Sequence, residues 1–511
     1  MDVWKLLREQ GDVPAMLEQL SGLTVYPRSI TTDNGDLLFM GRQGRERRLG
    51  VLSAGESASG FELASRQVTV AGQTLTLGLG ALIHANAAAL RQRLPYTAPI
   101  VLGTRKSAGL GDRLGIATPG HLRAIRQACG IAPILAQQSI REMERTDRTP
   151  DQVMDDATWG VFQEGWREGF GSDADHLKTH QDIDVCVAAG FTLYTFDPRD
   201  HVDNAADADP VEILRNKYAA LPWAELDSTP EQTRQAYLGH TWELSTACTI
   251  RFTEEQLLRA ACKYGKGLAH LADMYRYLDK IMGNRPYEVE VSVDETDTPT
   301  QPVEHFYIAS ELQRLGVTWV GLAPRYIGRF EKGVDYIGDL DVFEADFAQH
   351  AAIARELGPY KLSLHSGSDK FSIYPITARL AGDLIHLKTA GTSYLEALHA
   401  IARVEPGLFR EILDFAIAHY ETDKRSYHVS AELARMRPSA SLTDAELEDA
   451  LYSFDTRQAL HVTFGTVLTI KDDQGKYLFR DRIYAVLEDN EEAHYRALQD
   501  HFARHLTPFV S

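Results

Sequence analysis

Three histidines each close a short apolar run and are followed by small and charged residues: His176 in GSDADHLK, His365 in KLSLHSGSDK and His386 in LIHLKTAGT. A histidine at the C-terminal end of a strand, ahead of a polar loop, stands where barrel enzymes keep their chemistry. Neutral imidazole is the commonest protein ligand of transition-metal ions, and three in one topological setting point to a shared divalent metal centre. A single histidine among the 18 in this chain is more often a hydrogen-bonded structural residue, so the argument rests on the recurrence.

Carboxylates accompany the histidines. In YEVEVSVDETDTPT, Val289, Val291 and Val293 share one strand face while Glu288, Glu290, Ser292 and Asp294 share the other. If the valines face helices, the carboxylates point into a barrel, where burial is costly unless they meet a cation, a base or a substrate. Glu290 is therefore a candidate acid or base; the competing arrangement is a solvated edge strand. The same alternation turns Lys361, Ser363 and His365 inward in YKLSLHS, and His386 and Lys388 inward in DLIHLKT, with Thr389, Gly391 and Thr392 in the loop beyond. GSDADHLK places Asp173, Asp175, His176 and Lys178 within six residues. Read as a helix start, its acids are caps for HLKTHQDIDVCVAAG; read as a site, His176 is a metal ligand and Asp175 a proton carrier tuned by the cation.

Elements that could position these residues alternate along residues 98–405 as apolar strand, polar loop and amphipathic helix. The strands are APIVLG, IAPILAQQ, a short one entering GFGSDADHL, FTLYTFD, YEVEVSVDE, TWVGLAP, YKLSLHS and DLIHLKT. Eight such units predict an α/β fold, a (β/α)8 TIM-type barrel. A doubly wound open sheet is the alternative, but no Gly-rich dinucleotide turn follows the first strand. Residues 1–97 read as a small β-rich N-terminal domain, alternating over 22–82 and closed by a helix in ALIHANAAALRQRL. A helical insertion is expected at about 198–285, and 406–511 as a C-terminal α+β extension. In that extension HVTFGTVLTI and KYLFRDRIYAVL read as strands around the turn DDQG, placed to pair with the N-terminal strands.

The 511 residues, 44% hydrophobic, are enough for a large core. A formal charge of -19 without a basic stripe excludes nucleic acid as a partner class, and an anionic substrate needs local Lys or Arg. Cys129, Cys186, Cys248 and Cys262 form no CxxC pair, the start MDVWKLLREQ has no secretory character, and no apolar run spans a bilayer. The expectation is a cytoplasmic protein with reduced thiols and no membrane partner; a homo-oligomer is compatible with it.

The segments GDRLGIATPGH, GSDADHLK, EVEVSVDETDTPT, GLAPRYIGRFEKGVDYIGD, LHSGSDKFSIYP and HLKTAGTSYLEAL together resemble the tagaturonate/fructuronate epimerase family. The resemblance runs over nearly the whole expected barrel. It implies a metal-dependent epimerase of hexuronate catabolism that interconverts D-tagaturonate and D-fructuronate, in a family that includes members active on tagatose. Carried onto this sequence, it implies Asp175 and Glu290 as the acid/base pair, with Asp294 and Glu295 as alternatives to Glu290, and His176, His365 and His386 as metal ligands. The implied cation is zinc, with manganese, nickel and cobalt also suited to histidine. Gln138, Glu142, Asp294, Ser366, Lys370 and Lys388 are the expected contacts to a small sugar acid, and Arg113 and Arg141 further candidates for its carboxylate.

The two ketoses differ at a carbinol carbon β to the ketone, where the C–H is not activated, so inversion calls for retro-aldol cleavage and re-addition or for transient oxidation. Without a GxGxxG turn to hold NAD, the expectation is retro-aldol chemistry on a Lewis acid with flanking carboxylates. Rival readings are a metal-dependent sugar isomerase or aldolase, and a non-catalytic carbohydrate-binding protein.

Overall fold

A computed structural model describes residues 2–55, 60–246 and 248–510. Met1 and residues 56–59 of the expected N-terminal domain, Ala247 of the expected insertion and Ser511 of the extension lie outside the described residues.

Eight parallel strands close into a barrel: β1 (Ser107–Gly109), β2 (Ala132–Ser139), β3 (Gly171–Leu177), β4 (Leu193–Phe196), β5 (Glu288–Val293), β6 (Gly321–Pro324), β7 (Lys361–Leu364) and β8 (Ile385–Lys388). Each pairs with its neighbours in sequence, and β8 closes on β1 through His386 opposite Ser107. Alternation sorts the faces as expected: Val289, Val291, Leu362, Leu364, Ile385 and Leu387 join the apolar layer under the helices, leaving the polar residues between them to fill the interior. Among the described residues no helix is long and apolar enough to cross a membrane.

The first strand departs from the sequence reading. APIVLG is not a barrel strand; Ile100 and Val101 are 42% and 38% exposed, and the strand is the later Ser107–Gly109. Its residues are small, with neighbours close by: a Cβ on Gly109 would lie 3.2 Å from Gln137 Cγ, and the strand carries no run of large apolar residues to announce it. GSDADHL is strand throughout and not a loop, so Asp173 and Asp175 cap nothing; Thr179 caps the following helix, His180–Ala189.

Two outer regions also differ. The expected helical insertion contains the helices Val211–Ala219 and Pro230–Tyr237 and a hairpin of Trp242–Ser245 with Cys248–Ile250, while Glu254–Met282 is the barrel helix that follows β4. The C-terminal segments read as strands are helical: Phe454–Val462, Phe464–Thr469 and Arg480–Asp489, followed by Glu491–Leu506. Their β-branched and aromatic content mimics strands, but the buried Leu460, Phe464, Val467 and Leu468 recur at three- and four-residue intervals, the helical period. This tail meets the N-terminal six-stranded sheet through side chains, as in Tyr26 Oη to Glu491 at 2.8 Å and Arg45 to Asp489 at 2.8 Å, and not through strand pairing.

A buried charge network fastens the tail to the barrel mouth. Asp369, in the loop after β7, accepts from Arg457 Nη2 at 3.1 Å and lies 2.7 Å from His501 Nε2, while Arg457 also reaches Glu396 at 3.3 Å. His505 Nε2 accepts from the Asp369 backbone N–H at 2.9 Å, so this histidine is already committed, and the Asp369 carboxylate is paired with Arg457. Against the cost of burial, His501, His399 and Arg457 hold the Glu396 carboxyl down at about 2. Its contribution to stability is therefore complete above about pH 4.3 and lost as the pH falls toward 2. Arg457→Met leaves two buried carboxylates without their guanidinium and is expected to cost about 3–5 kcal/mol in urea denaturation; an unchanged midpoint would show that the network does not hold the tail.

Candidate active site

The site is built around one ammonium group. Lys388, the last residue of β8, points into the barrel and is 2.8 Å from Asp173, 2.7 Å from Asp175 and 2.7 Å from Glu290, with Thr195 Oγ1 at 2.9 Å. Asp173 and Asp175 share the inward face of β3, and the register sets Glu290 of β5 beside Thr195 of β4. All are buried. Gly321 of β6 lies opposite Glu290, and a Cβ there would fall 2.7 Å from Glu290 Oε2, so only glycine leaves room for the carboxylate.

Two of these acids orient histidines. Glu290 Oε1 is 2.7 Å from His365 Nε2, and its Oε2 accepts from Ser363 Oγ at 2.6 Å. Asp175 Oδ1 is 2.8 Å from His176 Nδ1, and its Oδ2 accepts from Gln137 Nε2 at 3.2 Å. The other nitrogen of each ring faces Asp294 Oδ1: His365 Nδ1 at 3.1 Å, without hydrogen-bond alignment, and His176 Nε2 at 3.9 Å. One potential ligand atom each from His176, Asp294 and His365 lies within 4.8 Å of the others. An imidazole with one nitrogen on a carboxylate and the other turned toward a further donor atom without a hydrogen bond is the usual posture of a metal-binding histidine. Two nitrogens and one oxygen also suit the divalent first-row metals, so these residues fit such a cation.

His176 reaches this position through a backbone irregularity. Strict alternation after the inward Asp175 would send it outward, but the β3–β4 register shifts there and His176 has φ 57, in the left-handed region. A non-glycine residue in that region is strained, and such strain is characteristic of functional sites. Ser366, after His365, also has a positive φ of 49.

Charge in the site is tightly matched. Burial pushes Asp173 up to about 6 with Asp175 and Glu290 adding to the shift, while Lys388 opposes it. His176 and Lys388 hold Asp175 well below the usual carboxylate range despite its burial, and Asp175 in turn lifts His176 to about 10. The acids thus make this region a strong holder of positive charge.

The remaining expected residues divide. His386 is fully buried two residues below Lys388, with Nδ1 2.9 Å from Ser107 Oγ, and burial lowers it to about 3. It stands one pleat deeper than the donor group, and Asp294 occupies the third place there. Gln138 is turned away by alternation, donating to the Asp112 carbonyl at 3.0 Å, while Gln137 faces Asp175. Lys370 is enclosed by the carbonyls of Glu331, Val334 and Ser368 at 2.5–2.9 Å and does not line the cleft. Glu142 does line it but is paired with Arg113 at 2.8 Å, and Ser366 lines it beside Lys332. Glu290 lies beneath the cleft, whereas Asp175, Asp294 and Glu295 border it. Lys332 and Tyr427 border it too. Both come from irregular loops whose sequence carries no periodicity to announce them. Asp173 shares the inward parity of Asp175 on the same strand, a signal already present in the sequence.

Inward acids, two oriented histidines and a polar cleft at the C-terminal strand ends define a barrel enzyme for a small polar molecule. A profile of the tagaturonate epimerase family, UxaE, matches residues 26–509, and the chain belongs to that family. It is 45% identical over 423 residues, 83% of this chain and 84% of the relative, to a tagaturonate/fructuronate epimerase of Thermotoga maritima. The native crystal structure of fructuronate-tagaturonate epimerase UxaE from Cohnella laeviribosi superposes with a TM-score of 0.90 at 38% identity, covering 97% of this chain and 98% of that one. A one-glycerol complex of the Cohnella enzyme gives 0.89 at the same identity, covering 98% and 99%.

Replacing Lys388 by methionine leaves three buried carboxylates without their shared cation. The expected cost is about 3–5 kcal/mol of stability, read from urea denaturation at neutral pH. A variant as stable as the parent would remove Lys388 from the centre of this arrangement.

Proposed function

We propose that this chain interconverts D-tagaturonate and D-fructuronate, with a divalent cation held by His176, Asp294 and His365. The observation that carries the reading is the pair of carboxylate-backed histidines aimed at Asp294, in a chain 45% identical to a tagaturonate/fructuronate epimerase. Zinc, manganese, nickel and cobalt all suit two imidazoles and a carboxylate. Bound there, the cation supplies Lewis acidity that polarises the ketone.

The protein's own groups move the protons. Asp175, ionised beside Lys388 and open to the cleft, takes the proton from the hydroxyl on the carbon β to the ketone. The bond between the α and β carbons then breaks, leaving an aldehyde and an enediolate fragment, with the proton on Asp175. After the aldehyde turns, the enediolate adds to its other face, and the new alkoxide takes back the proton held by Asp175, which restores the carboxylate. Glu295, on the cleft wall between Arg199 and Arg141, is held below the ordinary carboxylate range by His176 and the two guanidiniums despite its burial, and as a carboxylate it accepts a hydrogen bond from a substrate hydroxyl. Glu290 acts through His365, as a positioning residue below the cleft.

The test is incubation of the metal-loaded protein with each ketose in deuterated water. The partner ketose should form without deuterium entering the inverted carbon. Formation of an aldose with carbon-bound deuterium would indicate an isomerase, and absence of interconversion in both directions would contradict the proposal. Glu290→Gln should weaken metal binding by about 10–100-fold, while Asp175→Asn should lower kcat by about 10²–10⁴-fold.

A further inference from the structure

The proposed substrate is an anion, yet the floor of the cleft is lined by acids, so its carboxylate must be met elsewhere. The cations near the site are mostly committed. Lys388 serves three carboxylates, Lys370 three backbone carbonyls, and Arg113 is paired with Glu142 while stacked 3.5 Å over the Phe464 ring.

Lys332 differs. Its Nζ donates to Ser366 Oγ at 2.7 Å, and among the described residues no carboxylate lies within ion-pair distance of it. It borders the same cleft as His176, Asp294 and His365. Arg141 borders that cleft as well, 3.6 Å from Glu295 and with its side chain 39% exposed. Burial and the Arg141 guanidinium both push the Lys332 ammonium below its ordinary range, opposed by Glu142, Glu295 and Asp294. Two cations therefore converge on one wall, and one of them has only a hydroxyl as partner.

The loop presenting Lys332 is also fixed on both sides. Its neighbour Glu331 gives its carbonyl to the buried Lys370 at 2.8 Å and its carboxylate to Ser430 Oγ and Gln458 Nε2 at 2.7 and 2.8 Å. Val334, two residues on, gives its carbonyl to the same ammonium at 2.5 Å. A lysine held this way loses less freedom on binding an anion than one on a mobile loop.

We propose that Lys332, with Ser366 beside it and the Arg141 guanidinium on the same wall, forms the subsite for the carboxylate of the sugar acid. Lys332 thereby sets the preference for a hexuronate over a neutral ketohexose. This rests on the function proposed above and adds an orientation: the ketone end lies toward His176, Asp294 and His365, and the carboxylate end toward the loop of residues 331–334.

Calorimetric titration of the metal-loaded protein with D-tagaturonate and D-tagatose tests it in the parent, Lys332→Met and Lys332→Arg. Lys332→Met should weaken tagaturonate binding by about 10–100-fold and tagatose binding by less than about threefold, with Lys332→Arg retaining most of the affinity for the acid. Equal losses for both sugars, or no loss for tagaturonate, would overturn the subsite. A parent that binds tagaturonate but does not convert it would refute the proposed reaction while leaving the subsite standing.

Discussion

The arrangement depends on how one buried ammonium is shared. A lone carboxylate inside a barrel is too costly to keep ionised, and three would repel one another as well. Lys388 contacts Asp173, Asp175 and Glu290 at once, which makes their burial tolerable and fixes where each points. Two of the three then have an oxygen oriented toward a histidine, and the histidines converge on Asp294. Gly321 exists as glycine because Glu290 needs the space. Position in the site is thus inherited layer by layer, from charge balance at the floor to ring orientation at the cleft.

Much of this was legible from strand parity alone. Alternation places Glu290, His365, His386 and Lys388 inside, because parallel barrel strands are covered by helices and their apolar residues must face outward. Parity is silent about depth: His386 and Lys388 share a face, yet only Lys388 stands level with the carboxylates, and His386 falls a layer lower against Ser107. It also fails wherever the backbone breaks step. His176 points inward only because of the register shift and its left-handed φ, which no alternation pattern encodes. The tail misleads for a different reason: its β-branched and aromatic residues suggest strands, whereas the spacing of Leu460, Phe464 and Val467 is helical.

The C-terminal extension is part of the site's architecture and not an appendage. Arg457 and His501 grip Asp369 in the loop that begins at His365, and Tyr427 forms part of the cleft wall. Gln458 and Ser430 hold Glu331 next to Lys332. Acids are concentrated at the floor and the available cations, Lys332 and Arg141, at the wall, a local asymmetry that the overall negative charge of the protein does not supply.

X-ray absorption of the protein carrying one equivalent of zinc tests the central claim most directly. Two imidazole nitrogens and carboxylate oxygen at about 2.0–2.2 Å are predicted, with the signal preserved in His386→Asn and altered in His365→Ala. Three imidazoles, or a spectrum that changes with His386 and not with His365, would contradict the account.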